Sequence, residues 1–92
     1  MSYKPVYHPE VLNRDISGIN QNILRIIKRA IERRLLVSPQ SYGRPLVGNL
    51  SGFWKLRVGD YRVIFKVVKD EIWIYGILDR KNAYFDVLRR IP

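Results

Sequence analysis

Cysteine is absent from the chain, histidine and methionine each occur once, and carboxylates are scarce. Each shortage removes a class of chemistry. Without cysteine there is no disulfide, no thiolate metal site and no cysteine nucleophile. With His8 as the sole imidazole there is no His pair for acid–base work, and the few Asp and Glu residues form no cluster with metal-ligand spacing, so neither a metal nor another cofactor is expected. His8 stands at the start of the first helical pattern and reads as a capping or surface residue. No apolar run approaches the roughly 20 residues of a membrane span. The opening MSYKPVYHPE lacks a basic stretch followed by an apolar one, so no signal peptide is expected and a cytoplasmic home fits.

What the chain does have is positive charge. Seventeen Lys and Arg against eight Asp and Glu leave a formal charge of +9. Up to Gly43 there are seven basic and three acidic residues, and beyond it ten and five, so the excess is spread through the folded chain. Self-repulsion of this size points to an anionic partner, nucleic acid first and an acidic protein second, with plain solubility charge as the bland alternative. The chain is 47% hydrophobic and 12% aromatic, enough to build one core in 92 residues, and the whole of 1–92 reads as a single domain.

Tyr3 to Tyr7 alternates and predicts a short strand, placed at an edge because Pro5 lacks a backbone donor. Pro9 suits the first turn of a helix that stops at Gly18. Ile19, Ile23, Ile26, Ile27, Ala30, Ile31 and Leu35 recur at helical spacing and predict a longer amphipathic helix ending before Ser38-Pro39. Ser38 to Ser51 reads as loop. Then Phe53–Val58, Tyr61–Val68 and Glu71–Leu78 alternate around two-residue turns at Gly59-Asp60 and Lys69-Asp70, and Ala83–Ile91 closes the chain as a short amphipathic segment. The fold class expected is α+β: an antiparallel sheet, made of the N-terminal strand plus a three-stranded meander, packed on one face by two N-terminal helices, with a short C-terminal helix.

A two-residue turn fixes register, and register fixes faces. With Gly59-Asp60 as the turn, Arg57 stands opposite Arg62 and Lys55 opposite Ile64. Trp54, Leu56, Val58, Tyr61, Val63 and Phe65 then share an apolar face, joined by Ile72, Ile74 and Leu78 under strict alternation. Lys55, Arg57, Arg62 and Lys66 share the other face with Trp73, Tyr75 and Ile77. An Arg–Arg cross-strand pair costs a few tenths of a kcal/mol or more, and neither strand of this hairpin places a carboxylate on that face. The pattern predicts an anion site flanked by aromatics that stack on bases. The alternative is long basic side chains lying over a half-covered sheet.

WKLRVGDYRVIFKV, followed by an alternating strand and ILDRKNAYFDVLRRI, resembles the core of the RelE/ParE toxin superfamily of type II toxin–antitoxin modules, over about Tyr3 to Ile91. The resemblance implies a RelE-like fold and one of two activities. The RelE branch cuts messenger RNA in the ribosomal A site; the ParE branch poisons DNA gyrase. Carried over by position, the family's basic strand pair falls on Lys55 and Arg57, its arginine after the tyrosine of the next strand on Arg62, its arginine at the end of the last strand on Arg80, and the following tyrosine on Tyr84. Lys66, Trp73, Tyr75 and Lys81 are the accessory RNA-binding candidates. The filled set favours a RelE-like, metal-independent endoribonuclease over a gyrase poison or an inactive antitoxin-binding relative.

The chain departs from the family pattern at two points. Arg57 stands where lysine is frequent, which leaves Lys55 as the base candidate because arginine hardly loses its proton. Asp79 stands where many relatives have histidine. Strict alternation also turns Arg80 toward the core face, so it is expected beyond the strand end. The implied partners are the ribosome and its mRNA and a cognate acidic, RelB-like antitoxin, with no membrane, the toxin being a monomer or part of a heterocomplex. The faces of Ile19–Leu35 and of Val87, Leu88 and Ile91 are either core or antitoxin contact.

Overall fold

A computed structural model describes residues 2–91. β1 (Lys4–Tyr7) leads into a helical segment from Pro9 to Gly18, whose middle is a wide π-type turn at Val11–Asp15 and whose end is a tight 3-10 turn at Ile16–Gly18. His8 Nδ1 accepts the backbone N–H of Glu10 at 3.1 Å, which is the capping role expected of it. α1 (Gln21–Ala30) begins where the Asn20 side chain accepts the N–H of Asn22 at 2.8 Å. It runs on through a second π-type turn, Ile31–Leu35, and ends ahead of Pro39.

The segment expected to be loop is more regular than that. It holds α2 (Pro39–Tyr42), a two-residue strand β2 (Arg44–Pro45) and a 3-10 turn at Gly48–Leu50. The meander follows as β3 (Trp54–Val58), β4 (Tyr61–Val68) and β5 (Glu71–Asp79), and α3 (Ala83–Leu88) closes the chain.

The α+β architecture is the one expected. Strand order is β1-β5-β4-β3-β2, so the proline-bearing first strand does lie at an edge. It runs parallel to β5, which makes the sheet mixed, because the helical segment and α1 lie between the two strands in sequence. Both meander turns fall where predicted; Gly59 supplies the left-handed φ of 59° at the first, and Lys69 takes φ 57° at the second. Under the helices lie Leu56, Val63, Phe65, Ile72, Ile74 and Ile77, packed against Val11, Ile19, Ile27, Ile31 and Leu35. Each aliphatic side chain of this size removed from water contributes about 1.5–3 kcal/mol. Ile23 and Ile26, included in the apolar stripe, are exposed instead.

Two expectations about the faces need correction. The second face is not open, because Leu50, Phe53, Ile64, Ala83 and Val87 form a smaller core there under α3 and the turn before β3. Gly76 lets α3 come close: a Cβ at that position would stand 2.8 Å from Val87. Alternation in β5 is also broken. Ile64 pairs with Gly76 but Phe65 pairs with Ile74, so Tyr75 is left without a partner in β4, as a bulge. Beyond it the faces exchange. Ile77, assigned to the basic face, is buried under the helices, and Leu78, assigned to the helix side, packs into the smaller core.

The bulge is held by distant residues. Ile77 N–H donates to Asp15 Oδ2 at 2.9 Å, and Arg90 Nη1 donates to the Tyr75 carbonyl at 2.9 Å. Asp15 and Arg90 also bind each other through two bonds of 2.7 and 2.8 Å, with side chains only 2% and 9% exposed. Hydrogen bonding to Asp15 raises the pKa of the Arg90 guanidinium above its ordinary value, against the opposing effect of burial.

Candidate nucleic-acid interface

The Gly59-Asp60 turn and the register it imposes put Arg57 directly opposite Arg62 and Lys55 opposite Ile64, as the sequence predicts. The second hairpin partner was not foreseen. Arg44 of β2 pairs with Lys55, so two like-charge pairs lie side by side across β2, β3 and β4. They line a groove of about 590 Å³ together with Arg34, Tyr42, Pro45 and Leu56. Five cations line it, and among the described residues no carboxylate does. Side chains held this close with no counter-ion repel one another, and the repulsion is relieved when an anion enters.

At the groove's margin α3 contributes Tyr84, which the structure pairs with Lys55. Lys55 Nζ donates to Tyr84 Oη at 3.1 Å and lies 5.8 Å from the centre of the Tyr84 ring. The contact spans 29 positions of sequence and depends on α3 sitting over Gly76. Tyr84 is half-buried, so its hydroxyl is fixed while one side of the residue remains accessible.

Arg62 Nη1 donates to the carbonyls of Gly59 at 3.1 Å and Tyr61 at 3.0 Å, which anchors the guanidinium over the hairpin turn. Arg80 lies just past the end of β5, and its N–H donates to Asp60 of the same turn at 2.9 Å. The bulge at Tyr75 removes the difficulty over its direction: after the shift Leu78 stands opposite Arg62, and Arg80 has the same parity as Leu78. Asp79, in the position where histidine is frequent, is structural here. Its Oδ1 accepts the N–H of Lys81 at 2.9 Å and its carbonyl the N–H of Asn82 at 3.1 Å, shaping the turn from β5 into α3.

The structure thus brings Lys55, Arg57 and Arg62 into one groove, joins Tyr84 to it through Lys55, and ties the backbone of Arg80 to the turn beneath Arg62. Arg80 and Lys81 are exposed and outside the groove lining. Lys66, Trp73 and Tyr75 are not brought into it either. Lys66 lies over the Phe53 ring at 5.5 Å, Trp73 Nε1 donates to Glu71 at 3.0 Å, and the Tyr75 ring packs edge-on against Phe53 at 5.0 Å. Sequence reasoning missed Tyr42 and Arg44, because Ser38–Ser51 carries no strand pattern long enough to see, and Arg34, because it sits on the polar side of the long helix where a charge reads as solvated surface. Arg44-Pro45 ahead of a turn was the only signal.

A second cavity of about 580 Å³ surrounds Asp15 and Arg90 and is lined also by His8, Glu10, Asp79 and Asp86. Among the described residues no three His, Cys, Asp or Glu come together as metal ligands, and no helix is long and apolar enough to cross a membrane.

Comparison with known families gives one match, to the ParE toxin of type II toxin-antitoxin system, parDE, over residues 8–84. Comparison with curated protein sequences gives none. Among solved structures, the toxin-antitoxin complex RelBE2 from Mycobacterium tuberculosis is 22% identical, with a TM-score of 0.80 over 87% of this chain and 93% of that one. A double-arginine mutant of the E. coli toxin RelE in the free state is 16% identical, with a TM-score of 0.76 over 100% of both chains. The RelB-RelE antitoxin-toxin complex from Methanococcus jannaschii is 22% identical, with a TM-score of 0.68 over 88% of this chain and 96% of that one. At these identities the likeness is one of fold.

Proposed function

The chain belongs to the ParE toxin family of type II toxin–antitoxin systems, and from the geometry of its basic groove we propose that it acts as a ribosome-dependent endoribonuclease that cuts messenger RNA in the A site and needs no metal. One observation carries the reading: Lys55 Nζ and Tyr84 Oη meet at 3.1 Å beside the Arg57–Arg62 pair. Metal-free RNA cleavage needs a base, a cationic cradle and a proton for the leaving group. In the proposed reaction Lys55 takes the proton of the 2′-hydroxyl, whose oxygen attacks the adjacent phosphorus. Arg57 and Arg62 hold the non-bridging oxygens as charge builds on them. Arg80 stabilises the charge on the departing 5′-oxygen, which takes its proton from solvent, to give a 2′,3′-cyclic phosphate and a 5′-hydroxyl. Tyr84 orients Lys55 and the 2′-hydroxyl, or stacks on the base.

A shallow groove of charge has little with which to read a base, so the ribosome supplies the positioning and free RNA is a poor substrate. The cytoplasm is then the site of action. The partner that silences the toxin is an antitoxin, as in the neighbouring toxin–antitoxin complexes, and a chain of net charge +9 suits an acidic one.

The test is induced expression with mapping of mRNA ends. Cuts within A-site codons that are abolished by Arg62→Ala support the reading. Arrest with translation intact and mRNA uncut sinks it. That result favours the second reading, gyrase poisoning, which the match to the ParE family keeps in play.

A further inference from the structure

We propose that Arg34, Tyr42 and Arg44 form a second nucleotide subsite in the same groove, one that holds an RNA base and phosphate next to the reacting one. The proposal rests on the nuclease reading of Lys55, Arg57 and Arg62 and adds to it a site on the opposite wall. Arg34 and Tyr42 come from helical turns on either side of Pro39, and Arg44 from the strand that follows. All three line the groove with Lys55 and Arg57.

The Arg34 guanidinium lies 6.0 Å from the centre of the Tyr42 ring, and Tyr42 is 51% exposed. Arg34 and Arg44 are exposed as well. A tyrosine ring paired with a guanidinium gives a flat, cationic platform on which any base can stack, and an arginine beside it meets the phosphate. Arg44, directly across from Lys55, connects the platform to the phosphate site without a gap in the line of charge.

The platform is rigidly presented. Pro39, the first residue of α2, is fully buried, and Gly43 sits where a Cβ would meet the Phe65 ring at 2.6 Å and the Pro39 carbonyl at 2.8 Å. The N–H of Gly43 donates to Pro39 at 2.8 Å, and the N–H of Ser38 donates to the Arg34 carbonyl at 2.8 Å. With both flanks wedged into the core, Tyr42 is driven outward although it is an aromatic that burial would favour. A surface covering the sheet edge would need no such arrangement.

The RNA held there comes either from the message or from the ribosome itself, since both offer a base with its phosphate. The experiment measures binding of the wild-type toxin, Tyr42→Ala, Arg34→Ala and Tyr42→Phe to two samples. One is ribosomes whose A-site codon carries 2′-deoxynucleotides and is not cut; the other is ribosomes without message. Tyr42→Ala and Arg34→Ala are expected to bind about tenfold more weakly, with Tyr42→Phe close to wild type because the ring is kept. Loss confined to programmed ribosomes assigns the subsite to the message; loss in both samples assigns it to ribosomal RNA. Unchanged binding of Tyr42→Ala and Arg34→Ala in both samples overturns the subsite and leaves the nuclease reading standing. Failure of the wild type to bind either sample overturns both.

Discussion

Asp15 and Arg90 satisfy each other and the two backbone groups freed around the Tyr75 bulge, and almost none of their side-chain surface meets water. Around Lys55 the opposite holds: five cations share a groove, two cross-strand pairs are of like sign, and the lining holds no carboxylate. The same residue type, arginine, closes a structure in the first region and leaves one incomplete in the second. Charge matched within the protein holds the fold together, whereas charge left unmatched is available to a ligand. Substitutions in the two regions should therefore differ in kind, the first costing stability and the second costing activity.

The largest effect belongs to the matched region. Asp15→Ala strands the Arg90 charge and the Ile77 N–H, and should lower unfolding free energy by about 3–5 kcal/mol in denaturant titration. The double replacement Asp15→Leu with Arg90→Met should recover much of that loss, since it removes both charges together. Next comes Arg62→Ala, expected to slow A-site cleavage about 100-fold or more. Its cost in stability should be no more than about 1 kcal/mol, the worth of its bonds to the turn carbonyls. Tyr84→Phe, which removes only the hydroxyl that Lys55 meets, should slow single-turnover cleavage about tenfold with little change in melting temperature. The smallest effect has the opposite sign. Arg57→Gln should stabilise the fold by a few tenths of a kcal/mol by relieving the Arg–Arg pair, while it impairs cleavage. A stability loss in Arg57→Gln would break the contrast between the regions.

The legible part of the molecule was the part fixed by local rules. A two-residue turn at Gly59-Asp60 determines its own register, so the opposition of Arg57 and Arg62 could be read from the sequence. The long helix could be read because its apolar residues repeat, although Ile23 and Ile26 turn out to face solvent. The Tyr75 bulge was not legible because its stabilising groups come from Asp15 and Arg90, remote in sequence. With the bulge went the faces of Ile77 and Leu78, and the apparent misdirection of Arg80. β2 escaped notice because two residues cannot show a period, and with it went Arg44 as a fourth member of the charged row. The smaller core was hidden for a related reason: Ile64, Ala83 and Val87 each fit a local pattern, but only tertiary packing brings them together.

The order of the strands has one more consequence. Its two outermost members are β1 and β2, and each carries a proline, Pro5 in one and Pro45 in the other. Each edge thus lacks a backbone donor, and each also carries a cation, Lys4 or Arg44. Such edges resist pairing with another copy of themselves. A sheet this rich in positive charge is in this way kept from polymerising edge to edge.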